Sequence, residues 1–209
     1  MLHPAAIVPA LWPWLDVAGL AVFAASGALA AAKRRQTFVT CVFFALVTGV
    51  GGGTVRDLLI GAPVFWIHDP RAAAACLLVA GVIWLTPERW WAGAALDWFD
   101  AVGLAAYAVF GAAKALSLDV PPVPAALMGV VTACVGGIIR DVLAGEPSIL
   151  MRPELYVTAA ALAAGLYVAL ELLGVPASVA AGVSAAAGFA LRAAAIRWRL
   201  ALPAYRGRR

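Results

Sequence analysis

The sequence predicts an all-α, polytopic membrane protein with seven transmembrane helices, built as two inverted three-helix repeats followed by a seventh helix. Three observations carry this reading. The 209 residues are 65% hydrophobic and only 12% charged, with a mean hydropathy of +0.96, whereas a soluble domain must cover its surface with charge. Apolar stretches long enough to cross a bilayer recur along the chain, and their flanks hold the Pro, Trp and charged residues suited to a membrane boundary. The chain also resembles itself after a displacement of 84 residues.

The apolar segments run over 14–32, 38–61, 70–86, 98–117, 123–145, 154–174 and 177–198. Their connections are too short for a separate soluble domain, so 1–209 reads as one transmembrane domain. Trp12, Trp14, Trp66, Trp84, Trp90, Trp91, Trp98 and Trp198 all stand near segment ends, where an amphipathic ring suits the headgroup level. The first segment has positive charge after its apolar run instead of before it, the wrong flank for a cleaved signal peptide, and it reads as retained. Asp69-Pro70 reads as an N-cap followed by Pro at the first helical position, which starts the third span. Cys41, Cys76 and Cys134 lack metal-ligand spacing and read as small buried hydrophobes. His3 and His68 suit the interface better than a metal.

The net charge of +4 does not indicate nucleic acid, because the basic residues cluster at Lys33, Arg34 and Arg35 and in the tail at Arg192, Arg197, Arg199, Arg206, Arg208 and Arg209. These clusters read as topology signals. Both on the cytoplasmic side place the amino terminus outside and the carboxyl terminus inside, which an odd number of spans permits. A compact chain without a eukaryotic retrieval signal fits a bacterial inner membrane.

The repeat extends from 14–86 to 98–174, with 177–198 as the extra helix. Asp16 and Gly19 recur as Asp100 and Gly103, Gly27 as Gly111, and Thr48 as Thr132. Gly52 and Gly53 recur as Gly136 and Gly137, Arg56 and Asp57 as Arg140 and Asp141, and Gly61 and Pro63 as Gly145 and Pro147. Three spans per repeat is odd, so the second copy enters the membrane from the opposite side. Such repeats are related by a pseudo-two-fold axis in the membrane plane, an arrangement found where a path crosses the bilayer.

The chemistry centres on Thr48 to Asp57 and Thr132 to Asp141. Gly51, Gly52 and Gly53, and Gly136 and Gly137, each cost a helix roughly 1 kcal/mol relative to Ala, which predicts a kink whose opened carbonyls face a polar path. The four charges of the motif are costly at membrane depth and should not face lipid. Arg56 and Asp57, as neighbours on one helix, are expected to point apart and to find partners elsewhere. Asp16 with Arg56, and Asp100 with Arg140, are the pairings the inverted topology allows. A plainer reading has the ion pairs only locking helices together, Asp16 and Asp100 acting as helix caps, and Lys114 snorkelling to the interface.

Thr-x-x-Gly-Gly-Gly-x-x-Arg-Asp at Thr48 to Asp57, its second copy, and the Gly-x-Pro that follows each resemble the trimeric intracellular cation (TRIC) channels and their prokaryotic relatives, a family also catalogued as glycine transporters. The resemblance covers nearly the whole chain. It implies a homotrimer with a water-filled pore in each subunit, lined by kinked second and fifth helices and permeable to potassium and other monovalent cations such as sodium. It also implies a gating and lipid-binding lysine on the fourth helix, for which Lys114 is the matching position, although Ala115-Leu116 stands where the family has Glu-Val. Val135 replaces the glycine that Gly51 provides in the first copy.

The expected function is therefore a potassium-permeable cation channel. Thr48 and Thr132 hydroxyls and backbone carbonyls would face the ion, while Asp16, Arg56, Asp57, Asp100, Lys114, Arg140 and Asp141 would set the field or brace the helices. The expected partners are two further copies of the chain and membrane lipids, including anionic ones, with no resident cofactor. No nucleophile and base, P-loop or metal cluster points to catalysis. A carrier for a small solute such as glycine, and a non-conducting accessory protein, are the competing classes.

Overall fold

A computed structural model describes residues 12–91, 93–151 and 153–203, with side chains from Val17 onward in the first helix. The helices are α1 (Trp12–Lys33), α2 (Phe38–Leu59), α3 (Pro70–Leu85), α4 (Ala95–Ser117), α5 (Pro122–Leu143), α6 (Val157–Leu172) and α7 (Ala177–Trp198). Each coincides with one expected segment. The main shifts are at α4, which starts three residues earlier, and at α6, which starts three later because Ile149–Met151 forms a 3-10 turn in the connection before it.

Local chemistry sets the boundaries. Thr37 caps α2 by accepting from the Thr40 amide, and Asp69 caps α3 ahead of Pro70 as its sequence predicts. Arg71 hydrogen-bonds that same carboxylate and holds it below the usual carboxylate range. After α2 and α5 the chain reverses at Gly61 (φ 67°) and Gly145 (φ 65°), a left-handed conformation that glycine adopts without a Cβ penalty.

The repeat is visible in the packing. Within the first half α1 packs on α2 and α3, and α2 on α3; within the second, α4 packs on α5 and α6, and α5 on α6. The halves join through α1 against α4 and α2 against α5, and α7 lies on α4 and α6. Small residues make the contacts close: Ala24, Ala28, Ala108, Ala112, Ala159, Ala160, Ala163 and Ala164 are buried, as expected for helices that associate by close packing and not by expelling water. Val39, Phe43, Leu77, Leu78, Val82, Leu85 and Leu172 point outward, the inverse of a water-soluble surface and the form that lipid requires.

Two ends of the bundle can be distinguished. Arg34 pairs with Glu146, Lys33 reaches the Gly93 carbonyl at 3.5 Å, and the Leu202 amide donates to the Pro153 carbonyl at 2.6 Å. These contacts gather the α1–α2, α3–α4 and α5–α6 connections and the segment after α7 at one end. That end also carries Arg35, Arg89, Arg197 and Arg199, and is called the basic end below.

Candidate functional site

α2 and α5 cross at the centre of the molecule, and their glycines lie at the crossing. A Cβ added to Gly52 would stand 2.0 Å from the Thr132 carbonyl oxygen, and one added to Gly136 would stand 2.3 Å from that of Thr48. The two contacts exchange under the repeat, so the helices meet backbone to backbone about the pseudo-two-fold axis. Gly51 faces Ile139 and Gly136 there. Both helices are unbroken α-helix through their glycines, so the backbone opening expected at Gly51 to Gly53 is corrected. The missing side chains are used for close approach, and the lost helix propensity is offset by packing between helices.

Thr48 and Thr132 flank this crossing and are both buried. Each packs on the helix before it: a Cβ at Gly27 would meet the Thr48 hydroxyl at 2.6 Å, and a Cβ at Gly111 would meet that of Thr132 at 2.4 Å. Their hydroxyls differ in use. Thr132 donates to its own helix at Met128 O, 2.6 Å, while Thr48 Oγ1 is buried without a hydrogen bond among the described residues.

At the far ends of α2 and α5 stand the charged clusters. Arg56 Nε donates to Asp57 Oδ1 at 2.8 Å, and Arg140 Nε donates to Asp141 Oδ1 at 2.9 Å. The expectation that these neighbours point apart is therefore corrected. The arginine stem is long enough to fold its head back alongside the next residue, and burial of both charges rewards doing so. Each aspartate also organises the chain beyond its helix: Asp57 Oδ2 accepts from the Phe65 amide at 3.0 Å and Asp141 Oδ2 from the Ile149 amide at 2.9 Å. Main-chain bonds repeat too, from Ala62 N to Asp57 O and from Glu146 N to Asp141 O. One carboxylate thus neutralises a guanidinium and anchors the connection that follows its helix.

The clusters diverge around this shared core. Towards the basic end, Arg140 donates through Nη1 to Asp100 and to Ser26 Oγ, and all three residues are buried. This is the pairing expected across the topology, and it rules out a simple capping role for Asp100, which sits more than a turn inside α4. At the opposite end the position equivalent to Ser26 is Phe110, and its ring lies 5.1 Å from the Arg56 guanidinium, with Phe65 at 6.0 Å. Arg56 is fully buried, and its two terminal nitrogens have no hydrogen-bond partner among the described residues. The Asp16 side chain lies outside the described residues, and the expected Asp16–Arg56 pairing with it. Lys114 joins this cluster by donating to Asp57 Oδ1 at 2.8 Å while keeping 21% of its side chain exposed.

Several members of the site are not foreseen by sequence reasoning. Ser26 and Phe110 occupy equivalent positions with different chemistry, so a search for repeated residues passes over both. Arg192 reads as part of the basic tail; that is corrected, because it is 1% exposed and belongs to the interior. Its guanidinium lies over the Tyr156 ring at 5.3 Å and its Nη1 is 2.8 Å from Glu154 Oε2, without the alignment of a hydrogen bond. Tyr156 in turn places its hydroxyl against Gly137, beside Asp100 and Arg140. The available signal was position: Arg192 precedes the interfacial Trp198 by more than a helical turn. Arg206, Arg208, Arg209 and His3 lie outside the described residues, as do the side chains of Trp12 and Trp14. Cys41, Cys76 and Cys134 are buried free thiols as expected. No group of potential metal ligands occurs among the described residues.

Comparison with known proteins agrees with this architecture. A family model described as "Glycine transporter" matches twice, over residues 13–88 and 97–172. The UPF0126 inner membrane protein YadS of Escherichia coli K12 is 39% identical over 200 residues, covering 92% of this chain and 95% of the relative. Among solved structures, the TRIC trimeric intracellular cation channel orthologue from Rhodobacter sphaeroides is 44% identical, with a TM-score of 0.84 over 91% of this chain and 99% of the other. A second TRIC cation channel is 28% identical, with a TM-score of 0.82 over 94% and 98% of the two chains. The duplicated α2 and α5 clusters are thus set in a fold shared over nearly the full length of each relative, and the chain belongs to the TRIC/UPF0126 family of multi-pass membrane proteins.

Proposed function

We propose that this chain is the subunit of a homotrimeric cation channel of the bacterial inner membrane, permeable to potassium, with one conduction path per subunit along the α2–α5 seam. The observation that carries the reading is the duplicated seam itself: a glycine crossing at the centre and a buried Arg–Asp cluster at either end. The 44% identity and full-length similarity to the Rhodobacter sphaeroides TRIC channel support it. Trimerisation and inner-membrane residence are carried over from the named relatives. The basic end is assigned to the cytoplasm by the positive-inside rule, which places the start of α1 outside.

The mechanism uses shape and fixed charge, with no covalent step. A hydrated cation is stabilised on entering a membrane by oxygen dipoles and by water held in a recess between helices. The Thr48 hydroxyl, buried and without a hydrogen bond among the described residues, is the oxygen best placed to serve it. At Gly52 and Gly136 the backbones touch, so conduction along the seam requires α2 and α5 to part there. The connections held by Asp57 and Asp141 cover the two ends of the seam, and the arginines fix those covers in place.

A carrier of glycine is the second reading, favoured by the double match to the glycine transporter family model. Planar-bilayer recording of purified protein separates the two. Unitary potassium currents are the expected result. Saturable glycine uptake into proteoliposomes without unitary currents would overturn the channel.

A further inference from the structure

We propose that Lys114 sets the field at its own mouth of each subunit, so that it lowers the cation current entering there and leaves the reverse current nearly untouched. The inference rests on the channel reading above. It arises from a break in the repeat. Arg56 and Asp57 are matched by Arg140 and Asp141, and Asp16 by Asp100, each at the same place in its half. Lys114 is matched by Ala30, which is buried near Cys41 and Phe44. Within the clusters at the ends of α2 and α5, Lys114 is the charge that has no counterpart.

Lys33 and Arg35 in the α1–α2 connection, against Ser117 and Asp119, are further departures and are exposed; two others come as pairs. Arg34 and Glu146 are matched by Leu118 and Ala62, but they bind each other and their charges cancel. Arg192 and Glu154 likewise lie together. Lys114 does bind Asp57, yet that carboxylate already accepts from Arg56. Relative to the Arg140 cluster, one positive charge is therefore left over. It is also the accessible member: Arg56 and Asp57 are fully buried, while Lys114 keeps a fifth of its side chain exposed. A cation approaching this mouth meets that ammonium before the buried pair.

The size of the effect follows from Coulomb's law. A unit charge about 10 Å away in water changes the local concentration of a monovalent cation by roughly twofold. Salt weakens it, since the screening length falls from about 10 Å at 0.1 M to about 3 Å at 1 M. A bracing role for Lys114 predicts neither direction dependence nor this salt dependence.

The test is single-channel recording of the full chain at 0.1 M and 1 M KCl, with the insertion direction assigned from a carboxyl-terminal tag accessible from one chamber. Lys114→Gln keeps a hydrogen-bond donor for Asp57 but removes the charge; Lys114→Arg keeps the charge. At 0.1 M, where screening over one Debye length reduces the unscreened twofold effect, Lys114→Gln should raise the current entering from the Lys114 mouth roughly 1.3-fold and leave the opposite current unchanged. Lys114→Arg should match the parent, and at 1 M the three proteins should converge. Equal scaling of both directions, or a change that persists at 1 M, would overturn the proposal. Absence of unitary current from the parent itself would instead remove the channel reading, and this inference with it.

Discussion

At the scale of single residues, the glycines and the charged pairs have separable roles. Gly52 faces backbone across the α2–α5 crossing, whereas a methyl added at Gly81 or Gly165 would meet nothing within 4 Å. Gly52→Ala should therefore destabilise the protein by about 1–3 kcal/mol through overpacking, while Gly81→Ala is neutral or gains up to about 1 kcal/mol of helix propensity. Thermal unfolding in detergent compares them directly, and equal effects would contradict the close approach. Asp100 provides the second residue-scale prediction. Asp100→Asn leaves the buried Arg140 short of one carboxylate and should cost about 3–5 kcal/mol. Asp97→Asn, one turn earlier and only half-buried, should cost well under half as much. Arg140→Lys should not rescue the cluster, because a point-like ammonium cannot span Asp100, Ser26 and Asp141 as the forked guanidinium does.

At the scale of elements, the repeat-equivalent helices α3 and α6 are the shortest, with 16 residues each. At about 1.5 Å per residue they span about 24 Å, less than the roughly 30 Å hydrocarbon core of a typical bilayer. Mismatch of this kind is met by local thinning or tilting of neighbours at a cost of fractions of a kcal/mol per Å. The reconstituted protein should accordingly be more heat-stable in bilayers with shorter acyl chains than in longer ones. A stability optimum in the thickest bilayers would argue against α3 and α6 as lipid-facing spans. α7 stands outside the repeat but is tied to it by Arg192, buried between Tyr156 and Glu154. Arg192→Ala should loosen α7 and the segment pairing Ala201 with Glu154, seen as faster hydrogen exchange over 153–158 and 195–202 with little change in α2.

At the scale of the whole molecule, the outward-facing residues divide the roles of the surface. The exposed Leu, Val and Phe side chains serve lipid or another subunit, while charge is concentrated at the two ends. Mass measurement of the detergent-solubilised protein should give three copies per particle. A monomer that conducts as fully as the proposed trimer would separate assembly from function, since each chain carries its own seam. Accessibility of a carboxyl-terminal tag from the cytoplasm alone is the matching test of orientation.

The sequence by itself determined the class, the seven spans and the inverted repeat, because apolar length and a fixed displacement of polar residues are properties of the chain read in one dimension. It also pointed to Asp100 with Arg140, since an odd span count per repeat leaves few partners at the same depth. Only the tertiary structure decided how the motif is used. Whether Gly52 bends a helix or admits a neighbour depends on the backbone across from it, and that backbone belongs to Thr132, on a helix of the other repeat. Whether Arg56 pairs with Asp57 depends on burial, which makes folding the side chain back favourable where water would leave it extended. For Arg192 the position before Trp198 is only a weak signal, because an arginine near a helix end looks like a surface charge until the helices packed around it are known.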